Sequence, residues 1–126
     1  IVDGYLPLEK VSVVDINSNI DETKAYVSNA NYTRFPVIKD TTTQIVGYIH
    51  AKDLLSNDIN SLNDITHEIL KIKLNSKYHQ VLEQMKSHQI HIALVEDEHQ
   101  TPLGIITMEN ILENIVGDIK DEYDQS

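Results

Sequence analysis

The sequence predicts an α/β (α+β) fold made of two pseudo-symmetric motifs, each a small sheet flanked by helices. Two observations carry that prediction. GYIHAKDLL at 47–55 and GIITMENIL at 104–112 share one pattern: glycine, strand residues, a polar pair, then the apolar start of a helix. Sliding the chain on itself by 57 residues also aligns RFPVIKDTTTQIVGYIHAKDLL (34–55) with HIALVEDEHQTPLGIITMENIL (91–112) without a gap. Val37 then meets Leu94, Ile38 Val95, Asp40 Asp97, Gly47 Gly104, Ile49 Ile106 and Leu55 Leu112. Residues 1–60 therefore carry the first motif and 61–126 the second.

Each element follows from its own residues. A short strand is expected around Val11 to Val14. Upstream the repeat continues if one residue is inserted, which sets Ile20, Thr23 and Val27 against Tyr78, Val81 and Met85. That is helical spacing in both copies, with Leu82 widening the second stripe. Apolar runs predict strands at Phe35 to Ile38 and Ile45 to Ile49, and again at Ile92 to Val95 and Leu103 to Ile106. The polar stretches KDTTTQ and EDEHQTP between them suit hairpin turns. Helices follow, carrying Ala51, Leu54 and Leu55 in one copy and Met108, Ile111, Leu112, Ile115 and Val116 in the other. SNDINSLNDIT, 56–66, reads as the polar connection, Ile69 to Ile72 as the lead-in strand of the second copy, and Gly117 as the end of the last helix. A unit of about 55 residues with so small a sheet cannot bury a sufficient core alone, so two should pack together.

Composition narrows the function. The net charge is -10 and the ten basic residues are scattered singly, which argues against nucleic acid. The absence of cysteine excludes disulfides and thiolate metal sites, and fits a cytosolic location. No apolar run approaches the ~20 residues needed to cross a bilayer. The chain opens at Ile1 and closes after an acidic run, and reads as a domain cut from a longer protein. No nucleophile elbow, Walker loop or triad spacing is present, so no enzyme is expected.

Thr107 and Asn110 stand three residues apart where the last helix begins. A phosphate favours a hydroxyl and free N–H groups at a helix N-terminus, and a ribose diol favours a carboxylate or amide. The same spacing serves equally as an N-cap and its capping-box partner, and both readings stand. The first copy has His50 in place of the hydroxyl, followed by Lys52 and Asp53, so the two copies are not expected to be equivalent. The six histidines lack metal-site spacing: His88 and His91 fall on different elements with no third ligand. VEDEH reads as a solvated turn rather than a Mg2+ loop, and no metal site is expected.

The stretches YLPLE (5–9), YTRFPV (32–37), IVGYIHAKDLL (45–55), HIALVEDE (91–98) and LGIITMENILENIVGDIKDE (103–122) resemble a tandem CBS domain. More narrowly, they resemble the CBS pair of the CorC, hemolysin-C-like and cyclin M group of magnesium and cobalt transport proteins. The resemblance covers nearly the whole chain. It implies a regulatory module on the cytoplasmic side of the cell membrane, attached to a transmembrane domain, dimerising through its CBS pairs. It implies an adenine nucleotide in the cleft between motifs, ATP or AMP, with Mg2+ accompanying ATP. The residues implied are Tyr32, Thr33, Arg34 and Pro36 from the first motif with Ile106, Thr107 and Asn110 from the second; Phe35 is expected in the core. Three departures stand out: Leu6 where many members have Thr, Asn110 where an acidic residue grips the ribose, and HQTP in place of a glycine-rich tip. Two alternatives remain beside the nucleotide: a ligand-free dimerisation scaffold, and a direct sensor of divalent cations.

Overall fold

A computed structural model describes residues 4–55 and 59–124, with only the backbone described at 41–43 and 118–124. The strands are β1 (Leu6–Pro7), β2 (Val14–Asp15), β3 (Arg34–Lys39), β4 (Thr41–His50), β5 (Leu70–Lys73), β6 (Ile92–Glu96) and β7 (Pro102–Thr107). The α-helices are α1 (Ile20–Asn29), α2 (Tyr78–His88) and α3 (Met108–Asp124), and short 3-10 turns complete the chain.

Two compact units form, and they are interleaved with respect to the sequence repeats. One spans Val11–Ile69; the other joins residues up to Lys10 with those from Leu70 onward. The halves 1–60 and 61–126 are therefore not the compact units. The reason is pairing: β1 hydrogen-bonds antiparallel to β7, Leu6 opposite Ile105 and Pro7 opposite Gly104. Conversely His67, which precedes the second repeat, bridges Tyr48 of β4 through paired backbone bonds of 2.8 and 3.0 Å. Each unit is thus closed by the segment that precedes the other repeat.

In the Val11–Ile69 unit, the sheet order is β2-β3-β4, with β2 parallel and β4 antiparallel to β3. Asn19 starts α1 by accepting the amides of Asp21 and Glu22 at 2.8 and 3.3 Å, and Thr23 and Val27 face inward as their spacing predicts. The core is Val14, Val27, Phe35, Val37, Ile49, Leu54, Leu62 and Ile65. Two expectations are corrected here. Ala51–Leu55 winds as a 3-10 turn, too short to make a helix, and Leu54 alone of its leucines is buried, Leu55 being 81% exposed. Nor is the connection merely polar. Residues 56–58 of it lie outside the described residues, but Leu62 and Ile65 enter the core from a second 3-10 turn, Leu62–Ile65.

The second unit repeats the plan as β1-β7-β6-β5, with β5 parallel to β6. Every residue of β6 is buried, as a central strand requires. Its core gathers Ile72, Val81, Met85, Ala93, Val95, Ile106 and Ile111. Two further expectations fail. The gapless alignment slips by one residue along β3 and β6: Gly47 lies opposite Val37, but Gly104 lies opposite Val95. Val37 thus corresponds to Val95 rather than Leu94. The inserted residue persists through the strand and is absorbed only in the hairpin, where Asp40 and Gln100 adopt positive φ. Because a strand alternates faces, that slip decides which side chains reach the core. The last helix also continues past Gly117 to Asp124. A Cβ at Gly117 would meet nothing within 4 Å, so no close approach or left-handed turn stops the helix there.

Gly47 and Gly104 are different. A Cβ on Gly104 would strike the Leu6 carbonyl oxygen, and one on Gly47 the His67 carbonyl oxygen, both fixed main-chain atoms. We expect Gly104→Ala to destabilise the chain by about 1–3 kcal/mol through forced displacement of β1. Gly117→Ala should instead stabilise it, by at most about 1 kcal/mol. Urea unfolding of the two variants checks this, and equal midpoints would contradict it.

Candidate functional site

β7 runs directly into α3, and the junction is closed by side chains. The Thr107 hydroxyl donates to Asn110 Oδ1 at 2.8 Å and accepts the Asn110 amide at 3.2 Å, while the Thr107 amide reaches the same Oδ1 at 3.3 Å. Thr107 is the N-cap and Asn110 its reciprocal partner at the third helical position. Asn114 adds a bond from its amide nitrogen to the Asn110 carbonyl at 2.7 Å. Both side chains are half-buried, which leaves part of each open to solvent. Ile106, the preceding residue, is fully buried in the core, so only its main chain borders the junction.

The other expected residues lie together in the Val11–Ile69 unit. Tyr32 is 52% exposed and meets the Phe35 ring edge-on at 6.1 Å; Phe35 itself is wholly buried, as expected. Thr33 is exposed, and its carbonyl accepts the Ala51 amide at 2.8 Å. The matching bond in the second unit runs from the Met108 amide to His91 at 2.9 Å. Pro36 is buried opposite Tyr48, and Arg34, half-buried, lies opposite His50.

His50 occupies the position of Thr107 and does part of its work. Its Nδ1 accepts the Lys52 amide at 3.2 Å, capping the 3-10 turn with a ring nitrogen. Burial lowers its pKa below the ordinary histidine value of about 6.5, and the positive charges of Lys52 and Arg34 lower it further. Three residues on, Asp53 accepts from His67 Nε2 at 2.9 Å, and the His67 ring lies 5.3 Å from that of Tyr48. Nothing local in the sequence marks the Asp53–His67 pair. It depends on the bridge between His67 and Tyr48, whose one signal is that His67 precedes its repeat as Leu6 precedes the other.

His88 Nδ1 bonds the Gln84 carbonyl at 2.9 Å, one helical turn back. In the VEDEH turn, Asp97 accepts the amides of His99 and Thr101 at 2.8 and 2.9 Å. Those bonds, the Thr101 amide first, hold its carboxyl below the ordinary value. Among the described residues no three His, Cys, Asp or Glu groups gather as a metal site, and no helix is long and apolar enough to cross a membrane.

Two units, each a small mixed sheet closed by the lead-in of the other sequence repeat, define a tandem-repeat module. The chain belongs to the CBS domain family, whose sequence pattern matches residues 4–60 and 62–117. It is similar to hemolysin C of Brachyspira hyodysenteriae, with 37% identity over 95% of this chain and 46% of that protein. It is also similar to the magnesium and cobalt efflux protein CorC of Escherichia coli, with 30% identity over 98% of this chain and 44% of that one. The chain thus spans less than half the length of either relative. Among solved structures, the CBS domain of a bacterial CNNM/CorC family Mg2+ transporter in complex with ATP superposes with a TM-score of 0.83. Its identity is 26%, over 91% of this chain and 85% of that one. A hemolysin-like CBS protein of Oenococcus oeni gives 0.81 and 29%, over 89% and 86%.

His50 makes stability depend on pH. Its folded pKa is depressed, so its contribution is present above about 6.5 and is lost as pH falls through the folded value. His50→Thr should therefore flatten the fall in melting temperature between about pH 7.5 and 5.5. Parallel pH profiles for variant and parent would refute the assignment.

Proposed function

We propose that the chain is the cytoplasmic regulatory CBS pair of a membrane magnesium or cobalt transport protein, and that it binds one adenine nucleotide, Mg-ATP. Thr107 and Asn110 would engage ribose and phosphate at the start of α3. The resemblance also implies Tyr32, Thr33, Arg34, Pro36 and Ile106 as ligand contacts. The observation that carries the reading is the half-buried Thr107–Asn110 pair at a helix N-terminus, in a fold similar to a CBS domain that binds ATP. Helix N–H groups and a hydroxyl suit phosphate, and an amide suits a diol. The ligand can regulate only by binding one arrangement of the module better than another, a bias then passed to the attached membrane domain.

The cation follows from charge. ATP brings about four negative charges to a chain that already carries -10, and Mg2+ on the phosphates removes much of the repulsion. The acidic side chains expected to add to it, at Asp118, Asp121, Glu122 and Asp124, lie outside those described. Calorimetric titration with ATP, ADP and AMP, each with Mg2+ or with EDTA, tests the reading. We expect one ATP per chain, dependent on Mg2+. Thr107→Ile should abolish binding, at a stability cost of about 1 kcal/mol for the lost cap, while His50→Ala leaves affinity within about twofold. Equal ATP binding in EDTA would remove the cation from the account. A response to Mg2+ alone would favour a cation sensor.

One observation favours a scaffold as the second reading: Thr107 and Asn110 already satisfy each other. Silence in every titration would establish it. Either reading includes a homodimer. The apolar surface for it is narrower than the helix stripes suggest, since Leu54 and Ile111 are buried; Leu55, Leu112 and Val116 remain exposed. Sedimentation should show dimers at tens of micromolar, roughly where a modest interface assembles, and Leu112→Asp with Val116→Asp should yield monomers.

A further inference from the structure

The bonds at the start of α3 decide which end of the Asn110 side-chain amide faces outward. Its Oδ1 lies 3.3 Å from the Thr107 main-chain amide, which can only donate, so the oxygen and not the nitrogen faces Thr107. The same oxygen takes the Thr107 hydroxyl at 2.8 Å. That hydroxyl's own oxygen accepts the Asn110 main-chain amide at 3.2 Å. The Asn110 carbonyl is taken as well, by Asn114 Nδ2 at 2.7 Å. Each acceptor of Asn110 is thus engaged, while among the described residues its Nδ2 has no partner. No buried side-chain nitrogen or oxygen there lacks a partner, so Nδ2 reaches solvent. The junction therefore turns donors outward.

Resting on the reading of this junction as a nucleotide site, and narrowing it, we propose that Asn110 donates through Nδ2 to an anionic phosphoryl oxygen and that the ribose diol goes unread. A phosphoryl oxygen takes Nδ2 directly and draws the Thr107 hydroxyl away from Oδ1, both as charge-assisted bonds. It leaves two bonds of the junction in place, the Thr107 amide on Oδ1 and the Asn110 amide on the hydroxyl oxygen. A diol fares worse in either role. As a donor, each of its hydroxyls must compete for Oδ1 with two Thr107 groups. As an acceptor on Nδ2, a neutral hydroxyl is weaker than an anionic oxygen. The ligand class is then an adenine nucleotide held by its phosphates, with ribose and deoxyribose treated alike.

Asn110→Asp isolates the outward donors. A carboxylate can take the same two bonds from Thr107, and a negative group in the first turn suits the helix, so the cap is kept. It has no N–H to give. Calorimetry compares Mg-ATP with Mg-2′-deoxy-ATP, and thermal melting follows folding. We expect the parent to bind the two within about threefold, and Asn110→Asp to weaken the deoxynucleotide, which has no diol to compensate, by at least about tenfold. A larger difference between the two nucleotides in the parent overturns the proposal and leaves the nucleotide reading standing. A smaller loss in Asn110→Asp overturns it equally. Should Asn110→Asp not fold, competition on the parent decides: Mg-tripolyphosphate should displace ATP and adenosine should not, and the reverse overturns the proposal. A parent that binds neither nucleotide removes the nucleotide reading, and this proposal with it.

Discussion

In each unit the main chain of a distant segment lies on a glycine of the long strand, and the rest of the fold is arranged around that contact. Leu6 crosses Gly104 and His67 crosses Gly47, each so close that a single methyl group would collide with a carbonyl oxygen. The contact completes sheets that neither repeat finishes alone. Without β1, β7 would present an open edge; with it, β6 and β7 are both interior strands. The strand that ends at Thr107 is therefore held on both sides, and so is the start of α3. An element fixed in this way can position a side chain more finely than a loop can.

The same constraint explains why two copies of one plan do not present two copies of one surface. The crossing residue is placed by main-chain bonds, which are indifferent to its side chain, so Leu6 and His67 fill equivalent places with unlike chemistry. Leucine leaves the capping pair beneath it to itself. Histidine takes a carboxylate, and a second imidazole three positions from that carboxylate caps a turn of only five residues. A 17-residue helix begins beside Thr107, and a short 3-10 turn beside His50. The aligned peptide dipoles that favour an anion are thus available on one side only.

Much of this was legible in the residues. The repeat, the strand pairs, the inward faces of α1 and α2 and the capping relation of Thr107 with Asn110 all arise from local spacing. What escaped was set by contacts distant in sequence. The slip between Val37 and Val95 cannot be seen in β6, where every residue is apolar or buried and either register keeps its character. Leu62 and Ile65 sit among Ser, Asn and Asp, so their burial is decided by the neighbouring sheet rather than by their own segment. Gly117 carries the ordinary mark of a helix end, yet its surroundings are open and α3 passes through it. The Asp53–His67 pair joins residues whose proximity exists only once Tyr48 and His67 have bridged.

The mutual bonding of Thr107 and Asn110 bears on affinity as well as on geometry. A ligand entering there displaces bonds that already exist, so its gain is the difference between new bonds and old ones. If it takes Asn110 alone, the N-cap is weakened and about 1 kcal/mol is lost, roughly fivefold in affinity. A ligand that also offers anionic oxygens to the first-turn amides restores what the cap supplied, because those N–H groups remain satisfied. On the proposed reading, the junction would therefore favour a sugar phosphate over a sugar. The gap between them measures how far phosphate replaces the cap, and it widens when a cation offsets the chain's own charge of -10.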